Sequence, residues 1–124
     1  MRIVVICTGG RDTRSWLEPD ELLSAARRAN AVIDVVATGS ARRWPVLRDL
    51  TDATGGRMIA VESSGQIRTQ FESVLSEFRS RYVLTFVPTG VAEGGFHQLD
   101  VRVHGSRLVV AARPGYVASG SAAN

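Results

Sequence analysis

The stretch Ile3-Val4-Val5-Ile6-Cys7-Thr8-Gly9-Gly10 decides how the chain folds. Its apolar run is continuous and mostly β-branched, the pattern of a strand buried on both faces in a parallel sheet. The strand is predicted over Arg2–Cys7, with Thr8-Gly9-Gly10 breaking it and a mostly polar loop over Arg11–Leu17. Cys7, inside that run, is expected to be a small buried residue. Working outward, Pro19 suits the first position of a helix, and Asp20 and Glu21 fall in the first turn, where the dipole favours anions. Leu22, Leu23, Ala26 and Ala29 share one face of it, Arg27 and Arg28 fall in its last turn, and Asn30 can cap its end.

The same grammar repeats. Val32–Ala37 reads as a second buried strand ended by Thr38-Gly39-Ser40, and Pro45 to about Thr54 as a helix with Val46, Leu47 and Leu50 inward. Gly55-Gly56 stops that helix and Arg57–Val61 forms a third strand. Ser64 can cap a third helix whose apolar face is Ile67, Phe71, Val74, Leu75 and Phe78. After Arg81 the pattern changes. Tyr82–Val87 reads as a strand, Pro88–Gly95 as a loop, and Phe96–Val103 and Arg107–Arg113 as a hairpin turning at His104-Gly105-Ser106. The expected fold is therefore α/β, a partial Rossmann-like parallel sheet of about three strands with three helices, followed by an antiparallel β extension. One domain is expected over residues 1–117, with β-α repeats to 81, a meander over 82–117 and a tail over 118–124.

Composition narrows the function. The chain has 124 residues, 44% hydrophobic and 22% charged, which fits one globular domain. Its 15 cationic side chains are all arginine, set against 12 carboxylates for a net charge of +3. They are scattered and not interleaved with aromatics, so no nucleic-acid platform is expected. No apolar run approaches the roughly 18 residues of a membrane helix, and the run at Ile3–Cys7 is too short for a signal peptide. One cysteine allows neither an internal disulfide nor a thiolate metal cluster.

Val4 to Thr13 (Val-Val-Ile-Cys-Thr-Gly-Gly-Arg-Asp-Thr) resembles the fourth-strand segment of von Willebrand factor A domains, where an apolar strand runs into Ser/Thr-Asp-Gly. Glu21–Asn30, Val32–Gly39 and Leu47–Arg57 are similar to the helix, strand and helix that follow. The likeness is greatest to bacterial, acidobacterial-type von Willebrand A-related proteins, whose ends carry an aromatic-rich strand, here Arg81–Pro88, and a hairpin closing in Arg113-Pro114-Gly115-Tyr116. It covers roughly residues 2–117, the second half of such a domain. The resemblance implies a protein-binding module, often exported, with a metal-ion-dependent adhesion site. Here that site is expected to be degenerate: the strand bearing Asp-x-Ser-x-Ser has no counterpart, and the family's Asp falls on Gly9. Only Thr8 and Asp12 stay near it, too few oxygens for near-octahedral Mg²⁺. No cofactor is expected unless other sequence supplies the missing ligands.

The expected partner surface is Arg11, Asp12, Arg14 and Trp16 with Arg42, Arg43 and Trp44, on the loops after two parallel strands, where open α/β sheets place ligands. Each tryptophan reads either as part of that surface, where Trp and Arg are enriched, or as packed against its helix. Asp34 reads as a carboxylate at a sheet edge or paired with an arginine in preference to a catalytic group, since an unpaired buried carboxylate is costly. His97 and His104, an odd number apart, fall on opposite faces of a regular strand. No serine has a nucleophile-elbow context. The leading expectation is a non-enzymatic interaction module with a protein partner. One alternative is a small phosphate- or nucleotide-binding domain or enzyme using Gly9-Gly10. Another is a truncated fragment whose open sheet edge drives self-association.

Overall fold

The computed structural model of the protein describes residues 2–9, 18–29, 31–92, 94–105 and 110–118. Its elements run β1 (Arg2–Thr8), α1 (Pro19–Arg28), β2 (Ala31–Ala37), α2 (Pro45–Thr54), β3 (Met58–Ala60), α3 (Ile67–Arg79), β4 (Phe96–Gln98) and β5 (Gly115–Val117). Short 3₁₀ turns occupy Gly39–Arg43 and Ser64–Gln66. The strands β1, β2 and β3 form one parallel sheet in that order, and β4 pairs antiparallel with β5. The fold is the expected α/β architecture with an antiparallel extension.

The helix ends follow the sequence chemistry. In α1, Pro19 opens the first turn, the Glu21 carboxylate accepts the Glu18 backbone N–H at 3.3 Å, and Arg27 and Arg28 close the last. Its C-cap is Ala29, and the predicted Asn30 cap lies outside the described residues. Ser64 does not cap α3: it begins the 3₁₀ turn before that helix. In α2, Gly55 ends the helix in the left-handed conformation at φ 71°. Gly56 has a different constraint, because a Cβ there would collide with the Ile33 carbonyl. The chain thus passes hard against the β2 backbone before entering β3.

The core forms around β2, the middle strand. Val35, Ala37, Ala41 and Leu47 make a buried cluster, with Ile6, Ile33, Trp44, Val46 and Met58 packed against it. Helices α1 and α2 pack on each other and α2 on β2, while α3 packs against β1 and β2. A two-residue side-chain period puts Val32, Asp34 and Val36 on the face opposite Ile33, Val35 and Ala37.

Two expectations fail on β1. It is an edge strand paired only with β2 among the described residues, so its apolar run is not buried on both faces: Val4 is 44% exposed. Cys7 is likewise exposed and not buried. The continuous apolar run correctly signals a parallel strand, but burial needs a neighbour on each side. A similar shortfall affects the extension. Tyr82–Val87 forms no strand and has no pairing among the described residues, and the expected hairpin reduces to β4 against β5, with residues 106–109 outside the described set. Phe71, predicted inward on α3, is 39% exposed, because a three-strand sheet is too narrow to cover the whole face of a helix lying over β1 and β2.

Candidate functional site

The predicted partner surface lies at the C-terminal ends of the parallel strands. Of its residues, Arg11, Asp12, Arg14 and Trp16 fall outside the described residues, as does Gly10. Arg42 and Arg43 are exposed in the last turn of the 3₁₀ segment after β2, around the buried Ala41. Trp44 is half-buried and packs against the core cluster while forming the N-cap of α2. Part of its side chain is thus committed to the core, and Arg42 and Arg43 supply the exposed charge of this corner among the described residues.

Thr8 and Gly9 meet the β2 exit directly. The Thr38 N–H donates to the Thr8 carbonyl at 2.9 Å. A Cβ on Gly9 would stand 2.5 Å from Thr38 Oγ1, so a side chain at position 9 could enter only if Thr38 turned away. Among the described residues, no three His, Cys, Asp or Glu side chains gather to hold a metal.

The Thr8–Thr38 bond also fixes the polarity of the free edge. Successive residues of a strand point their backbone polar groups to alternate sides. Since Thr8 faces β2, so do Arg2, Val4 and Ile6. The N–H and C=O groups of Ile3, Val5 and Cys7 then face the side of β1 that no described strand occupies.

Asp34 is 2% exposed on the central strand. Both expectations for it, a sheet edge or an arginine side chain, give way to a backbone partner: its Oδ1 accepts the Arg57 N–H at 2.7 Å. The Arg57 guanidinium instead pairs with Glu77 of α3. One turn away, Thr54 Oγ1 accepts the Ile33 N–H at 3.0 Å and donates to the Leu50 carbonyl at 2.9 Å. These side chains fasten the end of α2 and the start of β3 to the middle strand, a structural task that occupies the one carboxylate of β2. His97 Nε2 lies 3.1 and 3.2 Å from the Ala92 and Gly94 carbonyls, which it can serve only as a donor, and its ring is tilted by 31° against that of Tyr116 with centres 5.3 Å apart. The exposed His104 is not part of that arrangement.

Sequence reasoning missed a cleft at the other end of the sheet. Its volume is about 840 Å³, and it lies by the start of β2 between three segments around Leu84, Val101 and Val110 that carry no regular secondary structure. Arg81 and Arg113 stand in its wall with Thr54 and Gly55. Arg81 donates to the Gly55 carbonyl at 3.2 Å and to Glu77 at 3.4 Å. Arg113 Nη2 donates to the Arg27 and Ala29 carbonyls at 2.9 and 3.0 Å, closing the C-terminus of α1. Arg113 Nε is buried without an acceptor among the described residues. The nearby antiparallel pair docks on α1 through Arg27, whose guanidinium lies 5.5 Å from the Phe96 ring centre. No short motif marks such a cleft, because its walls come from segments far apart in the sequence.

No protein-family model matches the chain, and neither does any curated protein. Among solved structures, the chain is similar to one described as the crystal structure of an uncharacterized membrane spanning protein from Vibrio fischeri, at 19% identity and a TM-score of 0.52. The likeness covers 61% of this chain and 46% of that one, so this chain spans less than half of its neighbour's length. At that identity the likeness concerns the fold alone. Among the described residues, no helix is long and apolar enough to cross a membrane.

Proposed function

We propose that the chain is a non-enzymatic protein-interaction module resembling part of a von Willebrand A domain, with a vestigial adhesion site and a sheet edge that takes up an added strand. The observation that carries this reading is the free side of β1. All seven of its residues pair with β2, and none pairs on the other side among the described residues. An apolar strand with outward N–H and C=O groups is a template for strand addition, in which backbone bonds give affinity and side-chain pockets give specificity. The exposed Arg42 and Arg43, at the same end as Gly9, extend the contact surface. Gly9 supplies no side-chain oxygen, which favours binding by backbone and guanidinium over binding through a metal.

The isolated chain supplies its own probe, since a second β1 can occupy the edge. Light scattering over a concentration series is expected to show reversible growth beyond the 13.4 kDa monomer. Val5→Pro removes an outward donor while leaving the bonds to β2, a placement that edge strands tolerate. It is expected to return the chain to monomer mass with its circular dichroism unchanged. A wild-type chain that stays monomeric throughout would remove the support for an accessible edge. Association that Val5→Pro leaves intact would move the contact elsewhere.

A further inference from the structure

We propose that the N-terminal end of the sheet docks on an anionic lipid surface, with Tyr82–Val87 entering the headgroup region and the nearby arginines holding lipid phosphates. The topology gathers the charge, because parallel strands start, and the helices between them stop, at one end of a sheet. Arg2 opens β1, Arg27 and Arg28 close α1, and Arg57 leads into β3. Arg79 and Arg81 stand at the end of α3, which reaches the same place: Arg81 donates to Gly55, and Glu77 pairs with Arg57. Against them stand Asp52, Glu77 and Asp100 among the described residues. Glu77 is shared by Arg57 and Arg81, and Asp100 pairs with Arg102. Arg2, Arg28 and Arg79 are exposed and in no ion pair among the described residues. The opposite end mixes both signs, with Glu18, Asp20 and Glu21 at the start of α1 and Arg42 and Arg43 before α2.

The apolar part adjoins this charge. Tyr82 follows Arg81 directly, and its segment shares the cleft wall with Ala31, the residue that pairs with Arg2. Tyr82, Val83, Leu84, Phe86 and Val87 are all exposed. A run of exposed apolar side chains on one chain marks a site of interaction. Bordered by arginines, it has the two parts of an interfacial site: apolar burial at the acyl boundary, and attraction to anionic headgroups. Tyr82 adds an apolar ring with a polar tip, which suits that depth. The charge selects the occupant. A second copy meeting this end across a two-fold axis would set arginines against arginines. A nucleic acid would leave Val83, Leu84 and Val87 unused, since aliphatic side chains offer no ring face to a base. The backbone edge of β1 takes no part, so the proposal stands independently of the strand-addition reading.

The probe is vesicles of phosphatidylcholine with about a third phosphatidylserine, followed by co-sedimentation, with pure phosphatidylcholine as the control. The expected result is saturable binding to the anionic vesicles, weakened at high salt, and binding to the neutral ones lower by about tenfold or more. Leu84→Ser with Val87→Ser changes side chains that are 76% and 84% exposed, so the fold is not at stake. This pair is expected to weaken binding about tenfold. Arg28→Gln with Arg79→Gln is expected to weaken it about tenfold as well. Arg48→Glu removes as much charge from the first turn of α2, at the other end of the sheet, and is expected to stay within about twofold of the wild type. No binding to the anionic vesicles, or equal binding to the neutral ones, would overturn the proposal. So would indifference to either pair, or an equal loss in Arg48→Glu. Self-association that the serine pair abolishes would put a second copy on this segment and overturn it too.

Discussion

A carboxylate on the middle strand of a sheet is costly to desolvate unless its lone pairs are used. Asp34 uses one of them on the Arg57 N–H, at the point where Gly56 brings the chain hard against the Ile33 carbonyl. Asp34→Ala removes the acceptor and leaves a buried donor behind. It is expected to lower unfolding stability by about 1–3 kcal/mol. Asp34→Asn retains a carbonyl acceptor of the same size and is expected to lose less. Urea unfolding measures both, as a lower midpoint at unchanged slope. If Asp34→Ala matched the wild type, the bond would contribute nothing and the buried carboxylate would need another role. The sequence marks Asp34 as an anomaly because it interrupts an apolar run. It does not identify the partner, a backbone group 23 positions away, since backbone donors look alike in every sequence.

At the scale of elements, legibility follows how much of each signal is local. Pro19, Pro45 and Gly55 sit where the helix starts and stop require, so α1 begins and α2 begins and ends as read from the sequence. Strands depend on neighbours. Tyr82–Val87 has as much β propensity as β1, yet β1 has a ladder to β2 and Tyr82–Val87 has none among the described residues. Tyr82 is 93% exposed and Val87 84% exposed, so this segment lacks the burial that a strand needs. Propensity reflects fit to a pleated, half-buried surface and confers little where no such surface is present. Native-state hydrogen exchange follows from this difference. Amides of Val32–Val36, in the middle strand, are expected to exchange only through near-global opening. Those of Tyr82–Val87 are expected to exchange by small local fluctuations. Equal protection in the two segments would mean that Tyr82–Val87 has a strand partner after all.

For the whole molecule, the sheet has two different ends and, among the described residues, one open side along β1. The C-terminal end is where open α/β sheets hold phosphates. A phosphate site there would require the Gly9-Gly10 loop to present backbone amides to an anion. The half of that loop that is described sits tightly against Thr38, and the exposed charge nearby comes from Arg42 and Arg43 on a separate turn. Binding at this end is therefore expected to be surface contact with a macromolecule and not enclosure of a nucleotide. Thermal unfolding with a panel of nucleotides, inorganic phosphate and Mg²⁺ tests that expectation. A ligand at a hundred times its Kd stabilises the native state by about 2.7 kcal/mol, equivalent to a Tm shift of several degrees in a domain of this size. No shift is expected from any member of the panel. A shift with a nucleotide, lost in Gly10→Val, would replace the interaction reading with a phosphate-binding domain. A shift with Mg²⁺ alone would mean that oxygens outside the described residues complete a cation site that Thr8 and Gly9 cannot form by themselves.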